Sequence, residues 1–141
     1  MKSTRNNLIE EDFKQISNLI KYLPKFNKTG RKFIIKWFGG KDENGNMYMP
    51  YPKYYKDVVE FFYEAGSEYW TDVNYLSNRT AQSIRSDAKI KNASLQELKK
   101  MITYCTRGER SCDRHSAEML KRGIVIKILE RLKFLHNENR K

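Results

Sequence analysis

Helical periodicity dominates this chain and constrains its fold more than any other feature. In "EEDFKQISNLIKYL", Phe13, Ile16, Leu19, Ile20 and Leu23 fall on one stripe, with acidic residues at the start and Pro24 as the stop. "KYYKDVVEFFYEA" turns Val58, Phe61, Phe62 and Ala65 inward, and Gly66 ends it. "SLQE" is a capping box, with Ser94 as N-cap and Glu97 three residues on. The helix it opens carries Leu95, Leu98, Ile102 and Cys105 at core spacing, and Gly108 breaks it. A further helix starts near Ser111 or Asp113 and closes at Gly123. "IVIKILERLKFL" then aligns Ile124, Ile128, Leu132 and Leu135, with Val125 and Leu129 beside them, and the tail "HNENRK" is expected to fray.

The segments between these helices read less clearly. "TGRKFIIKWFGG" fits a short helix or a strand, ended by Gly39 and Gly40. "KDENGN" is a turn with Asn44-Gly45 at its tip. In "MYMPYPKYY", Pro50 pushes Met49 toward an extended backbone, and Pro52 suits the first turn of the next helix. "SEYWTDVNYLS" follows no clear period, although Trp70 and Tyr75 should be at least partly buried; "TAQSIRSDAKI" reads as a weaker helix. The expected fold is mainly α: residues 1–141 as a single bundle-like domain of five to seven helices, with room for one small β-hairpin near residues 31–49.

Charge narrows the function classes. The net charge is +11, and it is uneven: residues 1–70 carry 12 basic and 9 acidic residues, residues 71–141 carry 16 and 8. A basic half suggests a polyanionic partner, of which nucleic acid is the commonest. Two cysteines are no disulfide framework and fit a reducing compartment. The first residues have no apolar signal core, and no apolar run approaches a membrane span. The expectation is a cytoplasmic protein of a bacterial or phage-infected cell, with no membrane partner and an undetermined oligomeric state; the lysine- and asparagine-rich composition leans the same way.

Two segments, "MPYPKYYKDVVEFF" and "ASLQELKKMITYCTRGERSCDRH", carry a family resemblance. They resemble an uncharacterised bacterial, archaeal and phage domain-of-unknown-function family, DUF6508, with an MPYPxY motif, an A-S-L-x-E motif and a YCxRGERFCDGH motif. The chain matches these at Met49 to Pro52 with Tyr54, at Ala93 to Leu95 with Glu97, and at Tyr104, Cys105, Arg107 to Arg110, Cys112, Asp113 and His115. It departs at Ser111, Arg114 and Ser116, where the family pattern has Phe, Gly and Trp. The resemblance spans roughly residues 47–135 and implies no activity; the departures flank His115 and weaken any site built around it.

The segment "YCTRGERSCDRHS" holds residue types used by metal sites, nucleophiles and phosphate sites. Cys105, Cys112, His115 and His136 are the only thiols and imidazoles, and their intervals match no common zinc pattern. Cys112 and His115 stand three apart near a helix start, whereas a nucleophile and its base normally come from different elements. A nuclease would use His115 as acid or base, with Arg107 and Arg110 on phosphate, but no paired-carboxylate motif accompanies them. The plainer reading is a structural corner in which Tyr104, Arg107, Glu109, Arg110 and Asp113 form an ion-pair network between two helices. His115 would then bond to backbone or to Glu109. No catalytic residue, metal or cofactor is expected.

Two basic surfaces remain. Lys25, Lys28, Arg31, Lys32, Lys36 and Lys41 interleave with Phe26, Phe33, Trp37 and Phe38, a pattern that suits single-stranded nucleic acid if the rings are accessible and core packing if they are not. Lys99, Lys100, Arg107, Arg110, Arg114, Lys121 and Arg122 form the second, continued by Lys127, Arg131 and Lys133. The expected interface comprises Lys99, Lys100, Arg110, Arg114, Lys121, Arg122, Arg31, Lys36 and Trp37. The sequence thus favours a non-enzymatic nucleic-acid-binding protein, RNA slightly ahead of DNA, acting alone or within a ribonucleoprotein complex. One version is a phage or mobile-element accessory that inhibits a nucleic-acid-guided host defence complex, as an anti-CRISPR protein does. The alternatives are a protein-interaction module for an acidic surface and a small hydrolase or nuclease centred on His115.

Overall fold

The computed structural model describes residues 8–41, 43–75, 78–107 and 113–140, with the side chains of 48–50, 78–79, 81, 113–114 and 140 excluded. Among them, six α-helices have six residues or more: α1 (Glu10–Ile20), α3 (Lys56–Ala65), α4 (Asn78–Ser83), α6 (Leu95–Arg107), α7 (Asp113–Lys121) and α8 (Ile124–Arg140). Two shorter ones, α2 (Leu23–Phe26) and α5 (Asp87–Lys91), and a 3-10 turn at Glu68–Trp70 complete the helical part. An antiparallel hairpin, β1 (Ile34–Lys41) and β2 (Met47–Tyr54), interrupts it. The fold is therefore mainly α with one small hairpin, as the periodicity and the Asn44-Gly45 turn imply.

Helix starts follow local chemistry. The Ser94 hydroxyl accepts the Glu97 N–H at 3.1 Å, and the Glu97 carboxylate accepts the Ser94 N–H at 3.0 Å, so both groups of the capping box are engaged. At α1 the Asp12 carboxylate accepts the Ile9 N–H at 3.0 Å and the Tyr69 hydroxyl at 2.5 Å. The long apolar helix α8 packs against α1, α2, α5, α6 and α7, and its six stripe residues are all buried. The core gathers Ile16, Leu19, Phe26, Val58, Phe61, Trp70, Leu98, Ile102, Leu120, Ile128 and Leu132 into one cluster. Thr103 is the polar exception. Its buried hydroxyl lies 2.9 Å from the Trp70 carbonyl and 2.8 Å from the Lys99 carbonyl, and it accepts the Asp72 N–H at 3.0 Å.

Four local readings differ from the structure. Pro52 lies in β2 opposite Trp37, and α3 begins only at Lys56; a two-stranded sheet has free edges that tolerate a proline. The ambiguous "IIKWFGGK" is a strand, and Gly39 and Gly40 lie inside it. Both have φ near +87°, at a register shift that glycine alone accommodates without strain. The weaker helix over residues 80–90 is split between α4 and α5, where the Ser86 hydroxyl accepts the Lys89 N–H and restarts the chain. The described part of the tail is helical. α8 continues to Arg140 because His136 packs edge-on against Phe13 and shares a 3.2 Å hydrogen bond with Ser17 on α1.

Candidate nucleic-acid interface

The hairpin and α7 meet: α7 packs against β2, and an open cleft of about 940 Å³ lies between β1 and the outer turns of α7. From the hairpin side it is lined by Lys32, Phe33 and Trp37 among others, and from α7 by Ala117, Glu118 and Lys121. Residues assigned to two separate basic surfaces in the sequence therefore share one site. Trp37 keeps 47% of its surface exposed. No ion pair joins Lys32, Lys36 or Lys121 to a described residue.

Other cations are engaged within the fold. Arg31 makes a two-pronged bridge to Asp57 on α3, at 2.7 and 2.6 Å, and donates to the Lys32 carbonyl at 2.7 Å. Both side chains are largely buried, and the hydrogen bond from Arg31 holds the Asp57 carboxyl below the usual carboxylate range. Arg31 also faces Phe26, Phe33 and Tyr55 at 5.4–5.6 Å from their ring centres. It anchors the base of β1 to the helical body. Arg122 pairs with Glu118 at 3.2 Å, and the Lys99 ammonium lies 4.0 Å from the Tyr69 ring centre. Lys100 is half-buried on α6. Arg110 and the side chain of Arg114 lie outside the described residues.

On the hairpin, Lys36, Trp37 and Phe38 are consecutive and paired in regular register, so Trp37 projects from one face and its two neighbours from the other. Phe38 stacks on Tyr51 across the strands at 5.2 Å and 26°, and the Lys36 ammonium sits 4.5 Å from the Phe38 ring centre. A second groove, about 1000 Å³, runs between α5 and α8. Its charges are mixed: Lys127 bridges Asp87 at 2.6 Å, Arg131 donates to the Ala93 carbonyl at 2.9 Å, and Glu130 and Glu138 also line it. It suits a polyanion less well.

Among the described residues, α7 is tied to the end of α6 by His115 and Ser116; Glu109, Arg110 and the side chain of Asp113, which the expected ion-pair network would use, lie outside them. His115 Nε2 donates to the Tyr104 carbonyl at 2.8 Å, and its ring stands edge-on to the Tyr104 ring at 4.6 Å. Ser116 Oγ donates to the Cys105 carbonyl at 2.7 Å and lies 3.4 Å from that of Thr106. These are carbonyls of the last turn of α6, which lack helical partners. Arg107 is exposed; Glu109 and Cys112, like the side chain of Asp113, fall outside the described residues. Ser116 enters the sequence reading only as a departure from the family pattern; its role as a tie follows from its place in the first turn of α7. The Cys105 thiol is buried, and burial raises its pKa far above the ordinary range, so it behaves as a small apolar group. Among the described residues, no three His, Cys, Asp or Glu side chains gather as a metal site would require, and no helix is long and apolar enough to cross a membrane.

No curated protein and no solved structure matches this chain. A family model does, over residues 11–138, which contain the MPYP segment, the capping box, the α6–α7 corner and nearly all of α8. The chain belongs to that family, described as a family of unknown function, DUF6508.

Proposed function

We propose that this chain is a non-enzymatic basic protein that binds nucleic acid in the cleft between the hairpin and α7, with RNA slightly favoured over DNA. The observation that carries the reading is the convergence of Lys32 and Lys121, from distant parts of the sequence, on one cleft beside an exposed Trp37. Lysine ammonium groups are compact charges suited to phosphate. The non-enzymatic part is supported by the tie of His115 to a backbone carbonyl. The proposal extends to a cytoplasmic accessory of bacterial or phage origin that inhibits a nucleic-acid-guided defence complex. Size, charge and composition support that step, and loss of target binding by such a complex on adding the protein tests it.

The direct test is fluorescence anisotropy with labelled RNA and DNA across a salt series. Affinity should fall steeply with salt, because phosphate contacts release counterions. Lys32→Glu and Lys121→Glu should each weaken binding and lower the salt slope by about one. Failure of both nucleic acids to bind at low ionic strength would refute the reading. A second reading, a protein-interaction module, would then lead. It is favoured by the outer face of α3, where Tyr55, Val59 and Tyr63 repeat every four residues with exposures of 40%, 53% and 84%.

A further inference from the structure

We propose that the hairpin cleft accepts an unpaired nucleotide strand, with one base stacked on the Trp37 indole and the flanking phosphates held by Lys32 and Lys121. This rests on the nucleic-acid reading above and names its substrate class. Three observations carry it. The indole is half exposed and forms part of the cleft wall, so a flat ring can reach it. The cleft, about 940 Å³, is at the upper end of the range that binds small molecules, roughly 300–1,000 Å³, and is sized for a nucleotide or two. The two cations border that wall from different parts of the chain, Lys32 just before β1 and Lys121 at the end of α7, as a backbone passing the stacked base requires.

A duplex fits this arrangement poorly. Its bases are already stacked, and it offers a protein only phosphates and base edges. A two-stranded ribbon can enter the major groove, but there it reads edges with side chains such as Arg, Asn and Gln. Among the described residues, the exposed large apolar side chains of this hairpin are Ile35, Trp37, Met47 and Tyr51, its exposed cations are the lysines Lys36, Lys41 and Lys53, and α7 already packs against β2. Aromatic faces serve stacking, which tolerates any base. The strand should therefore bind with little sequence preference.

Tryptophan fluorescence provides a selective probe, because Trp70, the other tryptophan, has no exposed surface. Oligo(U), oligo(dT) and a blunt duplex of equal length would be titrated at low salt and then competed against one another. The single strands should quench the emission and displace the duplex, and comparing the two gives the sugar preference. Trp37→Ala should lose roughly tenfold in single-strand affinity, the scale of one stacked base, with duplex affinity unchanged. Trp37→Phe should recover most of that loss and abolish the quenching, which guards against a misfolded alanine variant. Equal competition by duplex, or wild-type single-strand affinity in Trp37→Ala while Lys121→Glu still weakens binding, would overturn this inference and leave the parent reading standing. Absence of binding by all three would overturn both.

Discussion

Trp70 and Trp37 are the same side chain in opposite settings. Trp70 closes the 3-10 turn, has no exposed surface, and packs at 4.8 Å against Tyr69 while Thr103 approaches its carbonyl. Trp37 stands on a two-stranded hairpin with half its surface in solvent. In the core of the helical body the rings pack on one another: Tyr22, Phe26 and Phe61 are buried and contact one another edge-on or tilted at 5.3–5.7 Å. The hairpin leaves Ile35, Trp37, Met47 and Tyr51 uncovered. A helix in this bundle meets several neighbours, whereas an isolated hairpin can bury little of its own surface and is marginal alone. Exposed apolar groups there require a reason other than folding.

The largest expected effect would break that contrast. Trp70→Ala should cost about 3–5 kcal/mol by leaving a cavity in a packed core. Trp37→Ala should cost under about 1 kcal/mol, because half the ring is already solvated. Urea melts of both variants measure this, and equal losses would show that the hairpin is part of the core after all. A smaller effect lies at the joint between the regions. Arg31→Ala should destabilise by about 2 kcal/mol, the scale of hydrogen bonds between charged groups. It should also speed amide exchange in β1 more than in α8.

The same joint has an acid signature. Asp57 titrates below its unfolded value because Arg31 bonds to its ionised form. The unfolded chain therefore binds more protons in that window, and the contribution is full above about pH 4 and fades as pH falls through the folded value. Asp57→Asn should be less stable than wild type at neutral pH, and the gap should narrow in acid. The smallest effect is at the capping box, which lies wholly in the helical body: Ser94→Ala should cost about 1 kcal/mol and leave hairpin exchange untouched.

What was legible in the sequence divides along the same line. Ser94, Glu97, Gly66 and the stripes of α6 and α8 specify their helices by contacts within a few residues, so their pattern shows in one dimension. The hairpin was legible only as an option. Its two prolines, its paired glycines and its register shifts blur the alternation that marks a strand. The Arg31–Asp57 bridge spans 26 residues and the Ser17–His136 contact spans 119, and nothing local announces either. The cleft was missed for the same reason. Lys32 and Lys121 were recognised as basic, but their convergence depends on α7 docking against β2.

The contact of α8 with α1 has a consequence for how the chain acquires its structure. Among the described residues α8 packs against α1, α2, α5, α6 and α7, and α1 precedes it by most of the described sequence. During synthesis α1 and α2 emerge with apolar faces that α8, made much later, helps to cover. Long-range closure of this kind carries a loop entropy cost before any contact rewards it. The body should therefore fold late and cooperatively. A ribosome stalled before α8 should display a protease-sensitive nascent chain, while release of Ile124–Arg140 should convert it at once to a resistant one.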